Sequence, residues 1–340
     1  MEAALRLRRL AFHLSPAAAA AAATTTATEP QHPPVADQGA HFSVSRADDA
    51  EWVDGLRPYF QYRDLGILSA TQEHFRAHLI RVRDSETGPI TMGQHTTGLH
   101  QHGVGFQMNY ILRGWMRFTF EGVGEQLFKA GDCWLQPAGV VHNELECSDD
   151  LIDLEVTSPG IFESTPLEEM SGSPTTEQVF SVSRADDASW ADGLRPYFEY
   201  RDMGIAAATG GSFKAHLLRV KASEGGTADG SIKMGEPTSA HTTGLHRHGD
   251  PATGYLRFQM NFVLQGWMKF EFEGHGVHTF NAGDCWLQPS GIVHNELACS
   301  DDVINLEVTS PAQFPTNAVD EAHAAQARTA AAAAATSGGG

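Results

Sequence analysis

The chain has 340 residues, of which 41% are hydrophobic and 9% aromatic, which is enough to build the cores of two ordinary domains. Its formal net charge is −19 and its isoelectric point is near 5.2, so nucleic acid and anionic membrane surfaces would repel it, and we expect neither as a partner. No run of residues approaches the roughly 20 apolar residues that a membrane-spanning helix needs.

The first 40 residues differ in composition from the middle of the chain. Arg6, Arg8 and Arg9 follow a short amphipathic pattern, and an Ala/Thr run comes after them. This composition is typical of an organellar transit peptide, which would direct the protein to a mitochondrion or plastid. The alternative is a disordered, compositionally biased segment on a cytoplasmic protein. In either case we expect residues 1–40 to be disordered, and likewise the Ala/Gly-rich residues 316–340.

Most of the remaining chain consists of one sequence that occurs twice. Residues 42–67 return at residues 180–205 with four differences, and the stretch GDCWLQPAGVVHNELECSDD from Gly131 returns almost unchanged from Gly283. The repeated unit has the size of one domain. Residues 164–178, between the copies, are polar and rich in Ser and Pro, which is typical of a linker. We therefore predict one domain at 41–163 and a second at 179–315.

Each copy opens with a possible helix and continues with strands. In the stretch SRADDAEWVDGL, a Ser precedes two acidic residues, which predicts one short helix. Short runs rich in β-branched and aromatic residues follow, such as FQMNYIL and WMRFTFEG, separated by Gly, Asp or Pro. Evenly spaced strands of this kind are typical of a barrel or jelly roll, so the predicted class is all-β with a few short helices.

The four cysteines do not form a disulfide framework. All four lie in strand-like stretches, and no two of them form a CxxC pair: Cys133, Cys147, Cys285 and Cys299. We expect reduced, largely buried thiols. A disulfide within each repeat is the alternative, because the sequence does not give the distance between the two sulfurs.

Each copy also carries histidines at a spacing that suits a shared metal ion. In the first copy, His100 and His102 are two residues apart and share one face of a strand. Gln107 and Asn109 share a face of the next strand, and a third imidazole, His142, follows later. Three neutral nitrogen donors are typical of an open, catalytic metal site; structural histidines are the alternative. The corresponding residues in the second copy are His246, His248, Gln259, Asn261 and His294.

These residues resemble the two motifs of the cupin superfamily. The first motif is matched by His100, His102, Gln107 and Gly114, and the second by Gly131, Pro137, Gly139 and His142. The second copy matches through His246, His248, Gln259, Gly266, Gly283, Pro289, Gly291 and His294. The chain is thus similar to a bicupin over nearly all of residues 42–311. The resemblance implies two tandem double-stranded β-helix barrels that pack together as a pseudo-dimer, with further homo-oligomerisation left open.

The sequence departs from the cupin motifs at the position of the usual glutamate ligand. Gln107 and Gln259 stand there, so the first shell of each metal would lose one negative charge. A metal with three neutral ligands keeps its full 2+ charge and favours an anionic partner such as an enolate, a carboxylate or a hydroxy acid. The amide either coordinates the metal through its oxygen or bonds to the substrate; the sequence leaves both open.

A glutamine accepts no proton, so a general base must come from elsewhere. Glu144 and Glu296 lie two residues beyond the third histidine of each copy and share its strand face, which makes them candidate catalytic bases. The alternative role for each is to orient an imidazole.

Other polar residues are candidates for contact with the substrate. Arg81 and Arg219 could bind its carboxylate, with a solvated strand arginine as the alternative. Asn109 and Asn261 are further candidate substrate ligands. The repeated His95 and His241 fall outside the motif spacing, and we expect them to be loop residues or to support a metal ligand; ligand exchange or proton transfer is the alternative.

The resemblance implies several kinds of function, because cupins include enzymes, storage proteins and binding proteins. We favour a non-haem Fe(II) dioxygenase that acts on a small anionic organic substrate, with Zn, Mn or Ni as other metals. A redox-neutral lyase, decarboxylase or isomerase is the first alternative. A non-enzymatic binding or storage bicupin is the second. The complete histidine set in both copies counts against a storage protein.

Overall fold

The computed structural model describes residues 39–55, 57–84, 88–91, 98–170, 176–222, 230–234, 244–249 and 256–320. Within these ranges the secondary structure is almost entirely β, with two four-residue helices, α1 (Ile67–Ala70) and α2 (Ile205–Ala208). Neither helix is long and apolar enough to cross a membrane. The predicted segment 1–40 lies outside the described residues except for its last two, and so do residues 321–340 of the predicted tail.

The first barrel is built from two antiparallel sheets. In order of hydrogen-bonded neighbours, the larger sheet comprises β14 (Ser181–Ser183), β10 (Cys133–Leu135), β7 (Phe106–Arg113), β12 (Ile152–Ser158), β4 (Arg76–Val82), β3 (Phe60–Asp64) and β2 (Val53–Asp54). The smaller sheet comprises β13 (Ser164–Pro166), β6 (His100–His102), β11 (His142–Cys147), β8 (Trp115–Phe120) and β9 (Gly124–Lys129), with β5 (Ile90–Thr91) paired to β11.

The second barrel repeats this plan. Its larger sheet comprises β1 (Ser43–Ser45), β23 (Cys285–Leu287), β20 (Phe258–Gln265), β25 (Ile304–Ser310), β17 (Lys214–Val220), β16 (Phe198–Asp202) and β15 (Ala191–Asp192). Its smaller sheet comprises β22 (Gly276–Asn281), β21 (Trp267–Phe272), β24 (His294–Ser300), β19 (His246–His248) and β26 (Thr316–Ala318), with β18 (Ser231–Lys233) paired to β24. The predicted all-β class with two tandem barrels is confirmed.

Strict alternation along the strands builds the core of each barrel. In β8, Met116, Phe118 and Phe120 are buried while the residues between them are partly exposed, because successive side chains point to opposite faces. Phe128 and Trp134 stack at 4.0 Å beneath them. All four cysteines are buried and free, as expected, and burial raises the pKa of each thiol.

The opening strand of each repeat completes the sheet of the other barrel. β1 pairs with β23, and β14 pairs with β10. Next to β1, the backbone N–H of Ala47 donates to Asp284 (2.7 Å), and Arg46 forms an ion pair with the same carboxylate (2.9 Å). The helix predicted for this segment is wrong: its described residues form a turn and the short strand β2. Contacts with the opposite barrel replace the local hydrogen bonds of a helix.

Strand pairing places some residues in a barrel outside the predicted domain limits. Residues 41–45 precede the first barrel in the chain, yet β1 lies in the second. Residues 164–166 of the predicted linker form β13, which pairs with β6, and the predicted tail begins with β26, which pairs with β19. Both β13 and β26 thus extend a sheet beside a histidine strand.

Four phenylalanines stack in two pairs across the contact between the barrels. Phe75 and Phe258 have ring centroids 4.2 Å apart, and Phe106 and Phe213 have centroids 3.8 Å apart. Phe75 and Phe213 occupy equivalent positions in the two repeats, so the two stacks are related by an approximate two-fold axis. One apolar cluster, which includes Phe106 and Phe258, runs continuously through both larger sheets.

Candidate metal centre

The six predicted imidazoles converge into two groups of three. In each group, one ring nitrogen of every histidine lies within 4.8 Å of the others. In the first barrel, β6 and β11 pair at His100 and His142, whose ring centroids are 4.2 Å apart, and His102 completes the group. The second group consists of His246, His248 and His294. The shared strand face that the sequence predicts therefore brings the rings together.

Hydrogen bonds set which nitrogen of each ring carries the proton. His100 donates from Nδ1 to the Gly98 carbonyl (3.0 Å), and His142 donates from Nδ1 to the Val140 carbonyl (3.1 Å). A carbonyl oxygen only accepts, so Nε2 of each ring keeps its lone pair. The equivalent bonds in the second barrel run from His246 to Gly244 and from His294 to Ile292, both at 3.0 Å.

Burial favours the neutral form of four of the six histidines, which suits them to bind a cation. Burial lowers the pKa of His100, and it lowers the pKa values of His142 and His294 well below the ordinary histidine range. The pKa of His246 falls to about 4, mainly through burial. Neutral imidazoles with Nε2 lone pairs on converging strands are the donor set that a divalent transition metal prefers.

The predicted amide ligand is hydrogen-bonded to an imidazole. Gln107 Oε1 accepts from His102 Nδ1 at 2.8 Å, and Gln107 Nε2 donates to Glu155 at 2.6 Å. Gln136 Nε2 donates to the same Oε1 at 3.3 Å. In the second barrel, Gln259 accepts from His248 (2.9 Å) and donates to Glu307 (3.0 Å). Metal coordination by Gln107 and Gln259 stays a prediction.

Glu155 is a buried carboxylate held by a histidine. Its other oxygen lies 3.0 Å from Nε2 of His78, with which it forms an ion pair when His78 is protonated. Burial would raise the pKa of Glu155, but the hydrogen bond and charge of His78 outweigh it, so the pKa lies below the ordinary value. The glutamate therefore carries a negative charge behind Gln107.

The two candidate bases are paired with arginines. Arg57 Nη2 donates to both oxygens of Glu144, at 2.9 and 2.6 Å. Arg195 binds Glu296 through two bonds of 3.2 Å, and Tyr197 donates its hydroxyl to Glu296 at 3.0 Å. Burial would raise the pKa of Glu296, but the charge of Arg195 outweighs it and keeps the pKa below the ordinary value.

The arginine of the second barrel also contacts the histidine group directly. Arg195 Nη2 lies 3.2 Å from Nε2 of His246, the nitrogen that a metal would use. The residue is only 9% exposed, so its charge is little screened by solvent. Each site thus places an arginine–glutamate ion pair beside its nitrogen donors.

Both histidine groups open onto cavities large enough for a small molecule. The cavity of the first barrel has a volume of ≈ 380 Å³ and that of the second ≈ 660 Å³. His102, His142 and Glu144 line the first, together with apolar side chains such as Met116 and Phe118. His248, His294 and Glu296 line the second.

The two cavities differ at a buried polar position. Asp153 lines the first cavity and is 3% exposed, and its Oδ1 has no hydrogen-bond partner among the described residues. Burial and the charge of Glu155 raise its pKa well above the ordinary aspartate value. The equivalent residue in the second cavity is Asn305, which donates to Asn261 Oδ1 at 2.8 Å.

The structure separates the predicted substrate contacts into two classes. Asn109 and Asn261 line the cavities, as a substrate ligand must. Arg81 and Arg219 are not among the described lining residues; they lie over the rings of Trp52 and Trp190 at 4.4 and 4.0 Å. Residues two apart share a strand face, so His78 and Ile80 face the cavity and Arg81 points away. His95 and His241 lie outside the described residues.

The sequence motifs do not identify several residues of the site. They are the partners of the motif residues: Arg57, Arg195, His78, His216, Gln136, Gln288, Glu155 and Glu307. Each is present at the equivalent position of both copies, in the stretches GLRPYF, AHL, WLQP and LEVTSP. The sequence pattern that could have indicated them is a polar residue that both copies retain among apolar neighbours.

No family model and no curated protein matches this chain, but solved structures share its fold. A Lactobacillus farciminis oxalate decarboxylase in complex with formate has a TM-score of 0.54 at 14% identity, covering 81% of this chain and 88% of its own. Bacillus subtilis oxalate decarboxylase at pH 4.6 has a TM-score of 0.53 at 14% identity, covering 86% and 81%.

A further structure of the Bacillus subtilis enzyme comes from work that assigned the EPR fine-structure parameters of its Mn(II) centres. It has a TM-score of 0.53 at 13% identity, and the match covers 85% of this chain and 81% of its own. Identities this low establish shared architecture only. The chain thus has the fold of these oxalate decarboxylases, with two tandem barrels that each carry a three-histidine group, as the cupin resemblance implies.

Proposed function

We propose that the chain is a metal-dependent decarboxylase that releases CO2 from a small carboxylate substrate at its three-histidine sites. The observation that carries the proposal is the group of three converging histidines in each barrel, beside a buried arginine–glutamate pair. A metal held by three neutral ligands keeps its full charge and favours a negatively charged substrate. The similar solved structures are decarboxylases, which supports the lyase alternative better than the Fe(II) dioxygenase that we favoured from the sequence.

A divalent metal would be held by His100, His102 and His142 in the first barrel and by the equivalent three histidines in the second. We propose Mn(II) first, because a protein of the same fold has Mn(II) centres. When bound, the metal would polarise a carboxylate oxygen as a Lewis acid. Iron receives no specific support from the similar structures.

The chain's own residues supply the charge and the proton that a decarboxylation needs. Arg57 and Arg195 would attract the substrate anion, and their partners Glu144 and Glu296 keep the two guanidinium groups in place. The carbon that loses CO2 must gain a proton. In the first cavity burial raises the pKa of Asp153 and favours its protonated form, which makes it our candidate donor, whereas an asparagine occupies its place in the second.

The proposal is tested by measuring both products and oxygen. The full chain, loaded with Mn(II), is given oxalate first and then a series of small keto and hydroxy acids. We expect CO2 release without net oxygen consumption. The double substitution of Arg57→Gln and Arg195→Gln should lower kcat/KM about 10- to 100-fold, because a hydrogen bond to a charged group contributes roughly 1.5–3 kcal/mol.

Arg113→Gln is the matched control, because the Arg113 side chain is 62% exposed on the surface and should change little. Uptake of one oxygen molecule per substrate would contradict the proposal and restore the dioxygenase. A protein that binds neither Mn(II) nor iron and turns over no carboxylate would instead belong to the binding or storage class.

A further inference from the structure

We infer that Gln107 and Gln259 are positioning residues that do not coordinate the metal: each transmits the negative charge of a buried glutamate to the Nδ1–H group of a histidine ligand. The inference rests on the proposed metal site and specifies how that site is built. It concerns three consecutive groups in each barrel, which we call the relay: Glu155, Gln107 and His102 in the first barrel, and Glu307, Gln259 and His248 in the second.

The orientation of the first amide follows from its partners. Glu155 accepts a bond of 2.6 Å, and a carboxylate cannot donate, so the group that faces it must be the amide nitrogen of Gln107. The amide oxygen then faces the opposite direction, where Nδ1 of His102 lies at 2.8 Å. Because an amide oxygen accepts and does not donate, His102 carries its proton on Nδ1 and presents Nε2 to a metal.

The amide oxygen has no lone pair left for a metal. A carbonyl oxygen has two, and Gln107 Oε1 already accepts from His102 and, at 3.3 Å, from Gln136. Gln107 is also 3% exposed and packed within β7, which restricts its rotation. Turning the oxygen towards the metal would break both bonds. It would also place the NH2 group, which is a donor, opposite His102 Nδ1–H, which needs an acceptor.

The far end of the relay is fixed in the first barrel and looser in the second. His78 holds Glu155 at 3.0 Å, whereas His216 lies 3.6 Å from Glu307, an ion-pair distance without a hydrogen bond. The bonds from glutamine to glutamate differ in the same direction, at 2.6 and 3.0 Å. The shorter bond to glutamate polarises the amide of Gln107 more strongly, so the relay should strengthen metal binding more in the first barrel.

The test measures metal affinity rather than turnover. The full chain with His246→Gln keeps one intact histidine group, and Mn(II) is titrated by EPR into this background. Glu155→Gln should weaken Mn(II) binding about 10- to 100-fold, the usual effect of removing a partner behind a ligand. Gln107→Leu should weaken it by a similar factor. The double variant should be little worse than either single variant, because both changes interrupt the same chain of bonds.

Two controls separate a positioning role from general damage. Glu125→Gln removes an exposed glutamate of the same barrel and should leave the affinity unchanged. The Co(II) absorption spectrum of Glu155→Gln should keep its band shape, since the ligands are the same, while the thermal unfolding midpoint shows that the barrel is folded.

Other outcomes overturn the inference. If Gln107→Leu lowers the affinity and changes the Co(II) spectrum while Glu155→Gln does neither, the amide is a ligand and the relay is wrong. If the unsubstituted chain binds Mn(II) but neither single variant alters the affinity, the relay is wrong and the proposed function stands. If the unsubstituted chain binds no metal at all, both fail.

Discussion

Asp153 and Glu155 lie on the same strand, two residues apart, yet their surroundings favour opposite protonation states. Glu155 is bonded to His78 and Gln107, which lowers its pKa despite burial. Burial and the charge of the neighbouring Glu155 both raise the pKa of Asp153, which lies well above the ordinary value. An acid and a base separated in this way on one cavity wall are typical of a site that moves a proton.

The substitution Asp153→Asn places an uncharged amide in the first cavity, as in the second barrel. An acid whose pKa is raised in the folded state binds more protons folded than unfolded, so its contribution to stability falls as pH rises above the ordinary aspartate pKa. We therefore expect the variant to be more stable than the parent at pH 7, and the gain to vanish near pH 3. Urea unfolding at several pH values measures this difference.

Asn305→Asp is the reciprocal control and should destabilise the protein at pH 7 by about 1–3 kcal/mol, the usual cost of leaving a buried polar group without its partner. The same Asp153→Asn variant should lose decarboxylation by the first barrel while it keeps Mn(II) binding. Equal stability of parent and variant across the pH range would show that Asp153 is ionised in the folded protein.

At the scale of elements, the exchanged strands β1 and β14 connect each barrel to the other's repeat. Asp132 accepts from the backbone N–H of Lys129 in its own barrel and from that of Ala185 beyond β14. Arg184 adds an ion pair at 3.0 Å. One carboxylate, 5% exposed as a residue, thus joins a turn of the first barrel to the opening strand of the second repeat.

Removing this carboxylate should loosen the exchanged strand. We expect Asp132→Ala to lower the free energy of unfolding by about 1–3 kcal/mol, because two backbone N–H groups and an arginine lose their acceptor. Hydrogen exchange of Ser181–Ser183 should accelerate more than that of β7. Glu125→Ala, an exposed change in β9, is the matched control. Unchanged exchange in β14 would show that β-pairing alone holds the strand.

At the scale of the whole molecule, the two barrels are built to bury each other's apolar surface. The Phe75–Phe258 and Phe106–Phe213 stacks lie between them, and each barrel lacks one edge strand until the other repeat supplies it. An isolated barrel would therefore expose a sheet edge and a large apolar face, both of which favour association.

We expect the second half, residues 179–320, to form a homodimer when it is produced alone. Its strand β14 has the sequence SVS, identical to that of β1, so a second copy can supply the missing edge of β23. Analytical ultracentrifugation should show the dimer mass. Phe213→Asp, which places a charge in the contact, should convert the dimer to monomer or unfolded chain. A stable, folded monomer would contradict the expectation.

Local properties of the chain determined the β class, the duplication and the two histidine groups. A strand has a side-chain period of two, so His100 and His102 had to share a face wherever that strand lay, and the motif spacing placed His142 with them. The same period correctly places Asn109 on the cavity face of its strand. It does not determine whether Arg81 lies on the cavity face or the outer face of its own strand.

Only the tertiary structure decided the partners of those residues. Arg57 meets Glu144 across 87 positions of the chain, Gln107 meets Glu155 across 48, and β1 joins a barrel whose strand β23 begins more than 200 positions later. No local period relates such residues, because their proximity depends on how whole sheets pair and pack. The sequence therefore determined which side chains each site contains, and long-range packing determined which atoms of those side chains face a metal.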